Sequence, residues 1–200
     1  AYMNVLMIQT GTPDREWLLS RLRAEERADL AVLPEFSNLS VPAVDFDAMC
    51  ADVDAHGDAF LRDLRTIARE KSMLVCANCL THEGTLWRNA TLLIDRDGNI
   101  AARYDKTHLS AGERAWGLVP GDDAVCADID GVRFGFLCCF DVYFPDFAER
   151  VGALLPDIVL FPSSQRSETQ TLLETQLRGR ALDLDAAIIR VAQSYSMACD

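Results

Sequence analysis

Residues 131–147 read GVRFGFLCCFDVYFPDF. The first nine form an apolar strand. Period two puts Val132, Phe134, Phe136 and Cys138 on one face and sends Cys139 to the other, or to the elbow where the strand ends. Residues 145–154 then suggest a helix, and DIVLFP (157–162) a second apolar strand stopped by proline. Strands alternating with helices specify an α/β layer architecture.

The same alternation extends outward in both directions. MNVLMIQ (3–9) is a short apolar strand. Thr12-Pro13 opens a helix, threonine as N-cap and proline in the first turn, with Leu18, Leu22 and Ala28 facing inward to about residue 28. DLAVLPEF (29–36) is a buried strand ended by Pro34. The stretch 46–71 contains a second helix with a stripe of Phe60, Leu61, Leu64, Ile67 and Ala68. MLVCANCLTHEG and ATLLIDRDGNIAARYDK read as strands with turns at Glu83-Gly84 and Asp97-Gly98. A long helical segment at 168–185 leads into a last strand, AAIIRVAQ (186–193). The apolar strands are largely continuous, as in a sheet covered on both faces, while 89–104 looks like a hairpin. A mixed sheet follows. Neither a repeat nor a low-complexity linker divides the chain, so residues 1–200 are expected to form one domain.

Composition removes several function classes. A net charge of −12 disfavours nucleic acid and anionic membranes as partners. The apolar runs are strand-length, too short to span a bilayer. AYMNVLMIQTGTPDREW lacks the pattern of a secretory leader. With seven cysteines, an odd number, the chain reads as a reduced, cytoplasmic protein. Cys76-Ala-Asn-Cys79 has CxxC spacing, but it lies in an apolar strand without a second ligand pair. Buried cysteine is the better reading than zinc.

Reactive groups of α/β proteins gather just past strand ends. Those positions hold Glu35 after DLAVLP, Lys106 after IAARYD, and the Cys138-Cys139 pair after VRFGFL. Only two of nineteen basic residues are lysines, Lys71 and Lys106. A thiol needs a base or a positive field to become a nucleophile. A nearby glutamate can take its proton and return it to a leaving amine. An ammonium can stabilise both a thiolate and an oxyanion. Such a set needs no metal, and no cofactor is expected. His56, His82 and His108 stay open as alternative partners of a cysteine.

Around these residues the chain resembles the carbon–nitrogen hydrolase (nitrilase/amidase) superfamily. The resemblance rests on PEF at Glu35, WRNATLLIDRDGNI, YDKTHL at Lys106, LCCFDVYFPDF, PDIVLFPSS and RGRALDLDAAIIRVAQ, in that order over essentially the whole chain. It implies a four-layer αββα sandwich of the nitrilase type. The family's domain continues past the AAIIRVAQ strand, so this chain is expected to lack its last C-terminal elements. It also implies a Cys-Glu-Lys triad: Glu35 as general base and acid, Lys106 as oxyanion stabiliser, Cys139 as nucleophile because it directly precedes Phe140-Asp141, and Cys138 as an inert, packed neighbour. Glu113 falls where a second glutamate is expected, to orient Lys106 and the substrate. For substrate binding the resemblance implies the Phe140 N–H and Tyr143, which stands where some acid-recognising relatives carry arginine. Phe144-Pro145-Asp146 replaces the family's Phe-Pro-Glu, and Asp183-Leu184 its acidic-Asn pair.

The implied activity is hydrolysis of a non-peptide C–N bond in a small amide or N-carbamoyl compound through a cysteine thioester. The implied partners are that substrate and further copies of the chain, as a homodimer or higher oligomer. A glutaminase-type ammonia-supplying unit and an inactive binding or assembly module are the alternatives. The pocket is expected from loops 37–50, 108–122 and 163–170, with Arg114 or Arg166 available for a substrate carboxylate.

Overall fold

The computed structural model describes residues 2–165 and 168–200. Its first sheet has the order β1-β2-β3-β4-β5: β1 (Val5–Met7), β2 (Leu30–Val32), β3 (Leu74–Glu83), β4 (Leu86–Ile94) and β5 (Ile100–Asp105). The first three strands are parallel and the last two antiparallel to their neighbours. The second sheet has the order β10-β9-β8-β7-β6: β6 (Cys126–Ile129), β7 (Val132–Phe136), β8 (Ile158–Ser163), β9 (Ala187–Ala192) and β10 (Met197–Cys199). Here β7, β8 and β9 are parallel, with an antiparallel strand at each edge.

The sheets pack face to face. Val32, Leu74, Cys76, Leu93 and Tyr104 of the first share one buried cluster with Phe134, Phe136, Phe161 and Ile188 of the second. Helices α1 (Arg15–Ala24) and α2 (Phe46–Lys71) cover the first sheet through Leu18, Leu22, Phe60, Leu64 and Ile67. On the second sheet, α4 (Pro145–Gly152) and α5 (Gln170–Leu184) contribute Phe147, Val151, Leu177 and Leu184. The expected αββα layering and mixed sheets are therefore present. No helix among the described residues is long and apolar enough to cross a membrane.

The differences from the sequence reading are local. Helix α1 begins at Arg15 because the Asp14 carboxylate, not Thr12, accepts the Trp17 N–H, and it stops at Ala24 rather than near residue 28. Pro162 lies inside β8 rather than ending it, paired with Val191 of β9. The pairing of β8 with β7 stops at Leu160, so the missing N–H of Pro162 costs no ladder bond on that side. A five-residue helix, α3 (Ala111–Ala115), and the short edge strands β6 and β10 were not anticipated.

Loops leaving the two sheets meet at one end of the sandwich. Gly121 allows this closure. Its N–H bonds the Lys106 carbonyl at 3.0 Å, and a Cβ there would collide with the Asp105 carbonyl.

Candidate active site

Glu35, Lys106, Glu113 and Cys139 converge on one cavity of about 290 Å³, with Phe36, Ala43, Ser110, Trp116 and Ser164 completing its wall. Ala43, Ser110, Trp116 and Ser164 come from the three loops expected to shape the pocket.

Each charged group arrives on a short segment past a strand. Glu35 follows β2. The next residue, Phe36, has φ 57°, and its N–H donates to Asn78 Oδ1 at 2.9 Å. Lys106 follows β5, its N–H held by the Asn89 carbonyl at 2.8 Å. Glu113 lies in α3 and closes a capping box with Ser110. Lys106 Nζ stands 2.8 Å from Glu35 Oε1 and 2.9 Å from each carboxylate oxygen of Glu113. Glu35, Lys106 and Glu113 are all at most 2% exposed. Such a cluster persists only if every charge is paired and hydrogen-bonded. Asn89 Nδ2 supplies the remaining bonds, 2.8 Å to Glu35 and 2.7 Å to Glu113, and Ser164 Oγ donates to Glu35 Oε2 at 2.6 Å. Burial alone would raise the Glu35 pKa. The Lys106 charge and hydrogen bond, with Ser164 and Asn89, overcome it and bring the pKa to about 2. Burial likewise opposes the Lys106 ammonium, but Glu35, the cysteines and Glu113 hold its pKa well above the ordinary lysine value.

The two cysteines sit differently. Cys138 is fully buried between the sheets. It is packed as expected, yet not remote from the charges: its Sγ donates to Glu35 Oε1 at 3.3 Å and accepts from Asn78 Nδ2 at 3.5 Å. Cys139 opens a 3-10 turn (Cys139–Tyr143) with φ 44° and borders the cavity. Burial and Glu35 push the Cys139 thiol up to about 12, while Lys106, the Ser164 N–H and the Ser163 hydroxyl act in the thiolate's favour. Burial and Glu35 also push Cys138 well above the ordinary thiol value.

Asp141 fastens this turn to the Lys106 segment. Its carboxylate accepts from Tyr104 OH (2.6 Å), Cys138 N (2.8 Å) and His108 N (2.9 Å), and lies 3.0 Å from His108 Nδ1. Hydrogen bonds to a charged group contribute about 1.5–3 kcal/mol each. Asp141→Ala strands several buried donors at once and is expected to lower stability by about 3 kcal/mol or more, measured by urea denaturation.

Sequence reading missed two residues of this network, Asn78 and Asn89. Asn78 Nδ2 reaches Asn89 Oδ1 at 2.6 Å, so the two amides join the strands under Glu35, Lys106 and Cys138. The available signal was an amide inside each of two apolar strands, where burial demands partners. The other candidates lie elsewhere. Phe140 and Tyr143 are absent from the wall of the cavity among the described residues; their rings pack on each other, and Tyr143 OH donates to Glu168. Arg114 Nη1 donates to the Leu109 carbonyl beside a separate cavity with Thr107 and His108. Arg166 lies outside the described residues. Cys76 and Cys79 are buried, as expected, and burial lifts the thiol of each. His82 pairs with Asp54 and stacks on Trp87, and none of the three histidines lines the site among the described residues.

A two-sheet sandwich with a strained cysteine turn facing a buried Glu-Lys-Glu cluster defines a narrow class of proteins. The carbon-nitrogen hydrolase family model matches residues 15–196, and the chain belongs to that family. It is 29% identical over 167 residues to a hydrolase in the pqqF 5' region of Pseudomonas protegens, spanning 78% of this chain and 55% of that protein. It is 27% identical over 126 residues to an (R)-stereoselective amidase of Pseudomonas sp, spanning 63% of this chain and 45% of that protein. The chain thus spans about half the length of these curated relatives. An amidase mutant from Nesterenkonia sp. AN1, solved with acrylamide added at its active-site cysteine, has the same fold. Its TM-score is 0.83 at 22% identity, covering 96% of this chain and 78% of that one.

Proposed function

We propose that this chain hydrolyses the C–N bond of a small amide or N-carbamoyl compound, with Cys139 as nucleophile. The observation that carries this is the convergence of Glu35, Lys106, Glu113 and Cys139 on one cavity. The volume, about 290 Å³, with Phe36, Ala43 and Trp116 in the wall, suits a short linear substrate with a small apolar arm.

The thiol is protonated at rest. As sulfur attacks the carbonyl carbon, its proton passes to Glu35. That transfer removes one buried negative charge and leaves the Lys106 ammonium facing the developing oxyanion. Glu113 and Asn89 keep Lys106 in place. The C–N bond breaks when Glu35 returns the proton to nitrogen, releasing ammonia or an amine and leaving a thioester. Water, deprotonated by Glu35, then cleaves the thioester to the acid and frees the thiol.

Cys138 is the competing nucleophile, because its sulfur is the one hydrogen-bonded to Glu35. Its complete burial argues against it, since an attacking atom must reach the substrate. A homo-oligomer belongs to the same proposal, and Leu182 of α5, 81% exposed, offers it an apolar contact.

The test is ammonia release from a panel of short aliphatic amides, N-carbamoyl amino acids and nitriles, with intact-mass detection of an acyl adduct. Release from an amide or N-carbamoyl compound, with an adduct on the Cys139 peptide, is the expected result. No turnover and no adduct across the panel would favour an inactive binding module. Turnover only with a second protein would favour an ammonia-supplying unit.

A further inference from the structure

The cavity has two kinds of wall. Glu35, Lys106, Glu113 and Cys139 form its charged and reactive side. Phe36, Ala43 and Trp116 form the other, and all three belong also to a separate apolar cluster with Leu109 and Leu118. Trp116 is the largest of the three, and its place is fixed by the segment that carries Glu113. It directly follows α3, and its N–H donates to the Gly112 carbonyl at 3.0 Å. Gly117 then turns the chain with φ 77°, and the Leu118 N–H returns to the Glu113 carbonyl at 3.1 Å. The indole stacks on Phe46, the first residue of α2, with ring centroids 5.8 Å apart and planes 4° from parallel. Phe46 in turn packs against Trp87 at 5.9 Å and 77°. Phe46 is absent from the cavity wall among the described residues, so it backs the indole. With one face covered by Phe46, the cavity meets the other face of the indole or its edge. Aromatic pairs in these geometries hold a ring beyond what the buried area alone supplies.

We propose that Trp116 is a specificity-determining residue: the substrate is a primary amide whose apolar acyl arm lies against the indole, and the indole limits the arm's length. The proposal rests on the hydrolase reading above. The direction of the arm follows from that chemistry. The carbonyl carbon must stand at Cys139 and its oxygen at Lys106, which leaves the substituent to the apolar side of the wall. Each methylene buried there favours the bound state by about fourfold. The gain stops where the chain meets a ring that cannot yield, because Phe46 stands behind it.

The test is kcat/KM for linear primary amides from acetamide to octanamide in wild type, Trp116→Ala, Trp116→Phe and Phe46→Ala. In the wild type kcat/KM is expected to rise with chain length and then fall. Trp116→Ala should move the maximum to longer chains and raise the octanamide-to-butyramide ratio by about tenfold or more. Trp116→Phe, which keeps a smaller ring at the wall, should move it less, and Phe46→Ala should soften the fall without removing it. A Trp116→Ala enzyme slowed by the same factor at every length overturns the proposal, since loss of packing on the Glu113 segment alone would do that. Wild-type turnover of succinamate as fast as that of butyramide overturns the apolar arm. If Trp116→Ala does not fold, an unchanged length profile in both Trp116→Phe and Phe46→Ala overturns the proposal. If the wild type turns over no amide, the hydrolase reading fails separately. The same series titrated into Cys139→Ala by ligand-observed NMR then decides on Trp116: a length limit on binding that Trp116→Ala moves upholds its role, and one that it leaves in place overturns it.

Discussion

Cys139→Ala is expected to abolish turnover, a loss of about 10⁴-fold or more, because removing a nucleophile leaves only binding and oxyanion stabilisation. Cys138→Ala is expected to retain activity within about tenfold and to cost about 1 kcal/mol for the small cavity it leaves. The contrast is informative because the two sulfurs are neighbours with different surroundings. Cys138 is sealed between the sheets and shares Glu35 with Lys106. Cys139 borders the cavity. Steady-state ammonia release from both variants decides between them. If Cys138→Ala is the dead enzyme and Cys139→Ala the active one, the two sulfurs exchange roles and Cys138 is the nucleophile.

Lys106→Met is expected to have the second large effect, on stability as well as rate. It leaves two carboxylates, Glu35 and Glu113, buried with no cation between them. Breaking a buried ion pair in this way costs about 3–5 kcal/mol. In the proposed role of Lys106, losing its charge beside the oxyanion should lower kcat by about 10²–10³-fold or more. The pH dependence has a definite sign. In the wild type, Glu35 has its pKa depressed to about 2. It therefore contributes stability that is present above the ordinary carboxylate pKa of about 4.3 and is lost as pH falls from there toward 2. Without Lys106, burial raises the Glu35 pKa above its unfolded value, so its contribution is present in acid and lost as pH rises. The gap between wild type and variant should thus be widest near neutrality and narrow in acid. Urea denaturation at pH 7 and pH 4 measures it; an equal gap at both would mean that Glu35 is not held ionised by Lys106.

The parts of this protein that sequence revealed are those where few residues suffice. Strands β2, β3, β7 and β8 are apolar runs, and the groups past the ends of β2, β5 and β7 stand out by chemical type. Glu35, Lys106 and Cys139 were readable in this way. Glu113 was harder, because a glutamate in a loop is ordinarily solvated. What distinguishes it is an ion pair with a residue seven positions earlier and a capping box, both consequences of how the 106–121 segment folds back. Asn78 and Asn89 escaped because their significance is relational: each is a buried amide whose partners come from other strands. Helix α1 was placed two residues early because Thr12 and Asp14 are both good caps, and only geometry selects Asp14.

Cys139 and Phe36 both hold left-handed φ angles, 44° and 57°, that glycine would adopt more easily. Side chains in such conformations cost about 1 kcal/mol or more each, and the two bracket the cavity from opposite sheets. Selection or engineering for thermal stability alone would therefore drift toward glycine at these positions, and at 139 would remove the sulfur. Under the proposed chemistry, resistance to heat and catalytic capacity are in opposition at Cys139, so a stabilised form of the chain should gain its margin elsewhere and leave both positions untouched.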